Sequence, residues 1–432
     1  MLHGFVPDFQ RSPTAISFPL PDSPCDVAIV GAGAAGLATA IFARRSSRAR
    51  SVALLEGARK PGAKILVSGG GRCNVTNAAV TAADFWGGRA SIVRQILRAF
   101  PAAATVAFFR DLGVPLHEEA DGKLFPDSNR ARDVLDALLR AAGDAGVTLL
   151  FDHRVQAVAR SAEGFRIVTG RGELGARAVV LATGGRSLPK TGSDGAGYTM
   201  AERFGHSMVP ATPGLAPLVS SGEHAGLSGV SHEVELTVWV NRAAERRLRG
   251  AILWTHFGVS GPAALNASRH WARARLEGKT VAITVNFCPG HPFDRLDARL
   301  TRFAKDRPKA SVQTALSTMV PASMAAVLLD NLSIALDLTF AHLSRENRRR
   351  LAHALTEWPL PVTDTRGYNF AEVTAGGIPL SEIEPGTMQS RLCPGLFLVG
   401  EILDVDGRIG GFNFQWAWAT AHVAAGGLSG LL

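Results

Sequence analysis

A chain of 432 residues exceeds what one simple core holds, so two or three domains are expected. With 46% apolar and 19% charged residues, the composition is that of a globular protein and not of a disordered one. The net charge of +9, mostly arginine and spread over the whole length, permits an anionic partner such as a nucleotide or RNA without demanding one.

Residues 1–24 carry Pro, Ser and Asp with no basic start and no apolar core, and read as a disordered arm and not as a signal peptide. Asp26 to Val30 then reads as a short buried strand running into Gly31-Ala32-Gly33-Ala34-Ala35-Gly36 and an apolar helix. In this spacing the first glycine permits a tight turn, the second lets a pyrophosphate approach the backbone, and the third lets helix and strand pack closely. The open N–H groups of the helix then face the phosphates. A second apolar run, Ser51 to Leu55, ends in Glu56, twenty residues after Gly36, where an acid accepts hydrogen bonds from ribose hydroxyls. A glycine-rich loop, Gly57 to Thr76, follows and contains Ser68-Gly69-Gly70-Gly71-Arg72-Cys73-Asn74. Helical patterns cover Ala90 to Leu112, broken at Pro101, and Ala131 to Ala145, with a hairpin or extended loop over Pro115 to Pro126 between them. Val147 to Phe151, Arg154 to Val158 and Phe165 to Thr169 read as strands.

Ala178 to Leu181 is another buried strand, ending in Ala182-Thr183-Gly184-Gly185, and Asp194 to Phe204 reads as a helix. Pro210, Pro213 and Pro217 mark a change of character. Glu233 to Val240, Ala251 to Trp254 and Thr280 to Phe287 are strands of a β-rich unit, and Pro292 to Trp358 is helical with breaks at Pro308 and Pro321. Near Glu372 the chain becomes glycine-rich again, and Gly395 to Val399 is a third buried strand ending in Gly400-Glu401. Nucleotide-binding character at both ends, with a different composition between, predicts one domain built from two segments. The expected boundaries are 25–209 and 370–432 for that domain, 210–290 for a β-rich insert, 291–360 for a helical insert and 361–369 for the return through it. Ligands of an open parallel sheet bind beyond the carboxyl ends of its strands. Three glycine-marked ends favour the long FAD over NAD.

The four cysteines, at 25, 73, 288 and 393, form no Cys-x-x-Cys pair, which fits a reducing, cytoplasmic setting. No apolar stretch is expected to reach the length of a membrane span, and the run after Gly411 reads as a buried helix. The basic runs Arg242 to Arg249 and Arg345 to Arg350 read as solvated helix or loop faces, so nucleic acid is not the expected partner.

The pieces Gly31 to Gly36, Ser68 to Asn77, Ala182 to Gly192, Thr255 to Pro262, Thr374 to Gly377, Gly400 to Gly407 and Gly410 to Gln415 resemble the BaiN/YhiN-type bacterial flavoproteins over about residues 25 to 427. Members are named NAD(P)/FAD-dependent oxidoreductases or aminoacetone oxidases, and one branch is assigned to bile-acid enone reduction. The resemblance implies an α/β fold: a Rossmann-like FAD-binding domain of the glutathione-reductase-like class, interrupted by an insert with a β-barrel-like part and a helical part. It places Gly31, Gly33, Ala35, Gly36 and Glu56 on the ADP half of FAD. Lys64, Gly71, Arg72, Cys73 and Asn74 lie along the cofactor, and Val155 touches the adenine side by its backbone. Ala182, Thr183 and Gly184 border the pyrophosphate. Gly400, Glu401, Gly411, Phe412 and Asn413 lie by the ribityl chain and flavin ring. Phe412 and Phe414 depart from the tyrosine and leucine frequent there.

Several side chains keep two readings. A helix N-terminus after Gly411 would stabilise the negative charge of reduced flavin, or is simply a packed helix start. Arg72 fixes a phosphate or substrate acid, or braces its loop. Cys73 is a thiolate near the flavin, or a packed, inert thiol. His256 is a proton donor or substrate contact, or a structural histidine. Asp404 and Asp406 read as loop acids, and no metal site is expected.

The expected function is an FAD-dependent oxidoreductase acting on a small-molecule substrate, with NADH or NADPH docking transiently as electron donor. An RNA-modifying flavoprotein using the basic surface, a flavin-dependent amine oxidase and a flavin-bound sensor are the alternatives. Oligomeric state is not legible.

Overall fold

The computed structural model describes residues 20–21, 23–46, 51–221 and 225–431. The arm expected over 1–24 lies outside them at residues 1–19 and 22. The chain divides into two compact units, Met1–Pro210 with Gly376–Leu432, and Ala211–Ala375.

The first unit is built on four neighbouring parallel strands with a fifth at the side. Leu396–Leu398, Gly172–Leu181, Cys25–Val30, Val52–Leu55 and Thr148–Leu150 lie in that order. Their central residues are apolar and buried, as expected of strands covered on both faces, while Gly172, Glu173 and Arg177 are exposed. Register fixes where the strands end. Val30 pairs with both Leu181 and Leu55, and Leu181 pairs with Leu398. Four strand tips therefore stand level, and Gly31, Glu56, Ala182 and Val399 are the residues that leave them. The helix Ala34–Arg45 follows the first strand, and the helix Phe412–Leu431 packs against it. The antiparallel strands Val155–Ser161 and Gly164–Thr169 extend the sheet from Gly172–Leu181.

The apolar stretch Ala90–Asp111 has the length and composition of a membrane span, contrary to the sequence reading. It folds as two ten-residue helices, Ala90–Ala99 and Ala102–Asp111. Pro101 between them has no N–H to continue the first.

The second unit is a seven-stranded sheet, in the order Trp358–Leu360, Val281–Asn286, Ser231–Val240, Ala243–Thr255, Gly258–Ser260, Leu218–Ser220, Val362–Thr365. The helix Pro262–Leu276 packs on it. The helices Phe293–Asp306, Val312–Leu316, Ala322–Asn331 and Arg345–Thr356 share its hydrophobic core, so the β-rich and helical parts form one unit and not two. The return segment supplies the edge strand Val362–Thr365 of the same sheet. The basic run Arg242 to Arg249 is neither helix nor loop: it is the outer half of a long hairpin strand paired with Ser231–Val240. The turn is made by Asn241 (φ 49°) and Arg242 (φ 67°), the two left-handed residues that a tight hairpin turn demands.

Candidate cofactor site

The three fingerprint glycines do three different jobs. Gly31 has φ +104°, and a Cβ there would stand 2.6 Å from the Ala182 carbonyl oxygen of the adjacent strand. A Cβ on Gly36 would meet the Gly31 carbonyl oxygen at 1.9 Å, so helix and turn touch backbone to backbone. A Cβ on Gly33 would meet nothing within 4 Å. Only that glycine borders open space, as a position kept clear for a ligand does. The helix starting at Ala34 has no side-chain cap and no acid in its first turn, which leaves its N-terminal donors for an anion.

Glu56 follows the next strand tip. Its Oε2 accepts the Ala32 N–H at 2.9 Å and its Oε1 the Ala58 N–H at 2.9 Å, which fixes the carboxylate against the glycine turn with acceptor capacity remaining on both oxygens. The Glu56 carbonyl accepts the His153 N–H at 2.8 Å, bringing the segment that begins Val155–Ser161 to the same end of the sheet.

At the far strand tip, Glu401 is held from two sides. Lys64 Nζ lies 2.6 Å from Glu401 Oε2, and Ser187 Oγ donates to Glu401 Oε1 at 2.8 Å. Lys64 also donates to Ser187 Oγ at 2.5 Å. The backbone before Glu401 is pinned by the long C-terminal helix: Thr420 Oγ1 accepts the Gly400 N–H at 3.0 Å, and Trp416 Nε1 donates to the Gly400 carbonyl at 3.2 Å. Ser187 is the residue that sequence reasoning missed. Its only signal was membership of the Ala182 to Gly192 piece.

The Ser68 to Asn77 motif separates into a part that borders open space and a part packed into the protein. Gly70 and Gly71 border open space, with only the Leu66 carbonyl oxygen, 3.8 Å from a Cβ on Gly71, in reach. Arg72 takes the bracing role: Nη1 donates to Glu119 Oε1 at 2.6 Å and to Asn129 Oδ1 at 3.3 Å, and the guanidinium sits 4.0 Å from the centre of the Phe125 ring. Cys73 is fully buried, and that burial pushes its thiol up to about 12. Burial on this scale is that of a packed thiol and disfavours the thiolate. Thr76 Oγ1 and Thr105 Oγ1 both donate to Gln415 Oε1, while Gln415 Nε2 donates to the Phe100 carbonyl, so a buried glutamine ties the motif to the C-terminal helix.

Phe412 and Asn413 offer backbone, not side chain. Phe412 is fully buried against Phe85 and Arg408. Asn413 spends its amide on the Gly407 N–H and carbonyl, at 2.8 and 2.9 Å. The first amide bonded within the helix is that of Gln415, to Gly411. His256 lies in the second unit, exposed in the turn between Ala243–Thr255 and Gly258–Ser260, with its ring edge-on to Phe257 at 5.2 Å. The described residues hold no cluster of three or more metal-ligating side chains.

The site fits FAD on its own evidence. Two buried side-chain oxygens, Asn74 Oδ1 and Thr183 Oγ1, have no partner; Asn74 follows the open Gly70 and Gly71, and Thr183 stands against the glycine turn at Gly31. Orphaned acceptors and donors of this kind are what a bound polar chain satisfies.

Fold and site define an FAD-binding Rossmann-type α/β protein of the flavin-dependent oxidoreductases. The model of the HI0933-like protein Rossmann domain matches residues 25–427, and the chain belongs to that family. A 3-dehydro-bile acid delta(4,6)-reductase of Clostridium scindens is 34% identical over 92% of this chain and 97% of its own. A ribosomal RNA dihydrouridine synthase of Escherichia coli is 32% identical over 93% and 97%. Among solved structures, a quinol-fumarate reductase with menaquinol aligns at TM-score 0.50 and 16% identity, covering 94% of this chain and 71% of that one, a likeness of fold.

Proposed function

We propose that this chain reduces a carbon–carbon double bond conjugated with a carbonyl group. The observation that carries the cofactor half is the open space at Gly33 beside an uncapped helix start. The reaction half rests on what the two relatives' names share. A delta(4,6)-reductase acting on a 3-dehydro bile acid, and a synthase that saturates uridine, both add two hydrogens across a double bond in conjugation with a carbonyl. Bound FAD, once reduced, supplies the hydride.

The protein's own residues do the rest. Lys64 and Ser187 orient the Glu401 carboxylate for a polyol chain. The backbone donors at the start of Phe412–Leu431 favour negative charge on the reduced ring. His256, exposed in a turn, is the proposed proton donor. NADH or NADPH is the proposed electron donor, docking transiently. The substrate is a small organic molecule in the first reading. An RNA uridine is the second, favoured by the charge of +9 and by the exposed Arg295, Arg299, Arg302 and Arg345.

Anaerobic mixing tests this. The FAD-loaded chain should bleach with NADH or NADPH, then regain its yellow colour on addition of a 3-oxo-Δ4 bile acid or of uridine-containing RNA, with product heavier by two hydrogens. Bleached protein that no conjugated carbonyl compound reoxidises would refute the reading.

A further inference from the structure

Arg366 follows the edge strand Val362–Thr365 and is anchored by its N–H to the Pro217 carbonyl at 2.9 Å. Its guanidinium carbon lies 3.5 Å from the centre of the Phe370 ring and 4.4 Å from that of Phe257. The turn that brings Phe370 back is fixed by Gly367 (φ +69°), whose carbonyl accepts the Phe370 and Ala371 N–H groups at 3.1 Å each. Phe257 is placed by the neighbouring hairpin, its carbonyl accepting the Ser220 N–H at 3.0 Å. Two turns of the same sheet, 256–257 and 366–371, thus meet at one guanidinium. Among the described residues, no carboxylate stands within the 4.0 Å of an ion pair with Arg366. Phe370 is 46% exposed, the one aromatic among the exposed large apolar side chains of those residues. His256 stands beside Phe257 in the same cluster.

Two rings are more than a surface arginine needs to brace a turn. They restrict where the guanidinium can lie, and a guanidinium donates in its own plane, as a fork matched to two oxygens of a carboxylate or phosphate. An arginine so fixed, lacking a carboxylate, beside an open phenyl face, is a receptor for an oxyanion joined to a flat, largely apolar body.

We propose that Arg366, Phe257 and Phe370 form a binding site on the second unit for an oxyanion joined to a flat ring system. The guanidinium edge grips a phosphate or carboxylate, and the open Phe370 ring takes the flat ring system attached to it. The ligand class follows from the cluster's own chemistry and goes beyond the reductase reading: a flat ring compound carrying a carboxylate or phosphate. A nucleotide supplies this chemistry as phosphate and base, a steroid acid as carboxylate and steroid face.

Calorimetric binding to the oxidised, FAD-loaded full chain tests it. The probes are a 3-oxo-Δ4 bile acid and a uridine-containing oligoribonucleotide, each beside a neutral counterpart, the methyl ester and the methylphosphonate oligomer. The wild-type chain should bind at least one charged probe, and R366Q should weaken that binding about 10- to 100-fold. R366K should recover only part, since lysine keeps charge without the planar fork. The neutral counterpart should bind wild type and R366Q alike, and F370L should weaken both forms. The charged probe that responds tells carboxylate from phosphate. Equal FAD content and melting temperature in R366K separate anchoring from folding, and the loss with the neutral probe needs no variant. Binding of neither charged probe by the wild type, or undiminished binding by R366Q, overturns the proposal. The reductase reading is tested separately, by whether either probe reoxidises the reduced flavin, so the two can fail independently.

Discussion

Replacing either of two fingerprint glycines by alanine adds the same methyl group, yet the structure predicts opposite consequences. In Gly36→Ala the new carbon would stand 1.9 Å from the Gly31 carbonyl oxygen, and both partners are backbone. Neither can rotate away, so the helix Ala34–Arg45 must lift off the strand it packs on. Overpacking costs about 1 to 3 kcal/mol, and a clash with fixed backbone belongs at the top of that range, which lowers the melting temperature by roughly 6 to 12 °C for a unit of this size. In Gly33→Ala the new carbon meets nothing within 4 Å, and stability should move by less than about 1 kcal/mol. FAD affinity should fall instead, because the methyl fills the space through which the pyrophosphate reaches the helix N–H groups. Losing one or two charge-assisted bonds weakens binding about 10- to 100-fold. Urea unfolding of both apoproteins and FAD titration followed by flavin fluorescence measure the two effects. A Gly33→Ala chain that binds FAD as tightly as wild type would show that no ligand passes over this turn.

Removing Lys64 as Lys64→Met leaves Glu401, whose side chain is 19% exposed, without its cation, and should cost about 1 to 3 kcal/mol of stability with weaker FAD retention; Ser187→Ala should cost less, and unchanged FAD content in both would remove Glu401 from the site. Because burial pushes the Cys73 thiol up to about 12, iodoacetamide at pH 8 should label it only after unfolding, and rapid native labelling traced to Cys73 by mass spectrometry would contradict the packed assignment. His270 is pushed down to about 3, first by burial and then by Arg269 and Arg246. The folded chain refuses a proton that the unfolded chain accepts, so this contribution to stability is whole above pH 6.5 and is lost as pH falls towards about 3. The slope is at most about 1.4 kcal/mol per pH unit, and His270→Gln should flatten the decline of the urea midpoint between pH 6.5 and 5.

What the sequence made legible was local. A strand, three spaced glycines and a helix lie within twenty residues, and their spacing is itself the mechanism, so Gly31, Gly33 and Gly36 could be assigned separate jobs. Contacts across the chain were not legible. Lys64 meets Ser187 and Glu401 across 123 and 337 residues, and no pattern in the sequence says that three strand tips bring them together. Arg72 has the same difficulty: it is closed off by Glu119, 47 residues away. Orientation was the other gap. Phe412 and Asn413 stand where the cofactor is expected, but the helix start turns one ring into the core and bends one amide back to Gly407. The Arg242 to Arg249 run was misread because charge masked alternation: Leu248 faces inward while Arg247 and Arg249 face out, and a left-handed Asn241-Arg242 pair is a weaker turn signal than Asn-Gly.

The account stands on FAD lying across the level tips of the parallel strands. The most direct measurement is the cofactor itself: denature the purified chain, identify the released chromophore by chromatography and count it against protein. One FAD per chain, restored on adding FAD to stripped protein, is the result expected. Folded, colourless protein that takes up no FAD at saturation would contradict it.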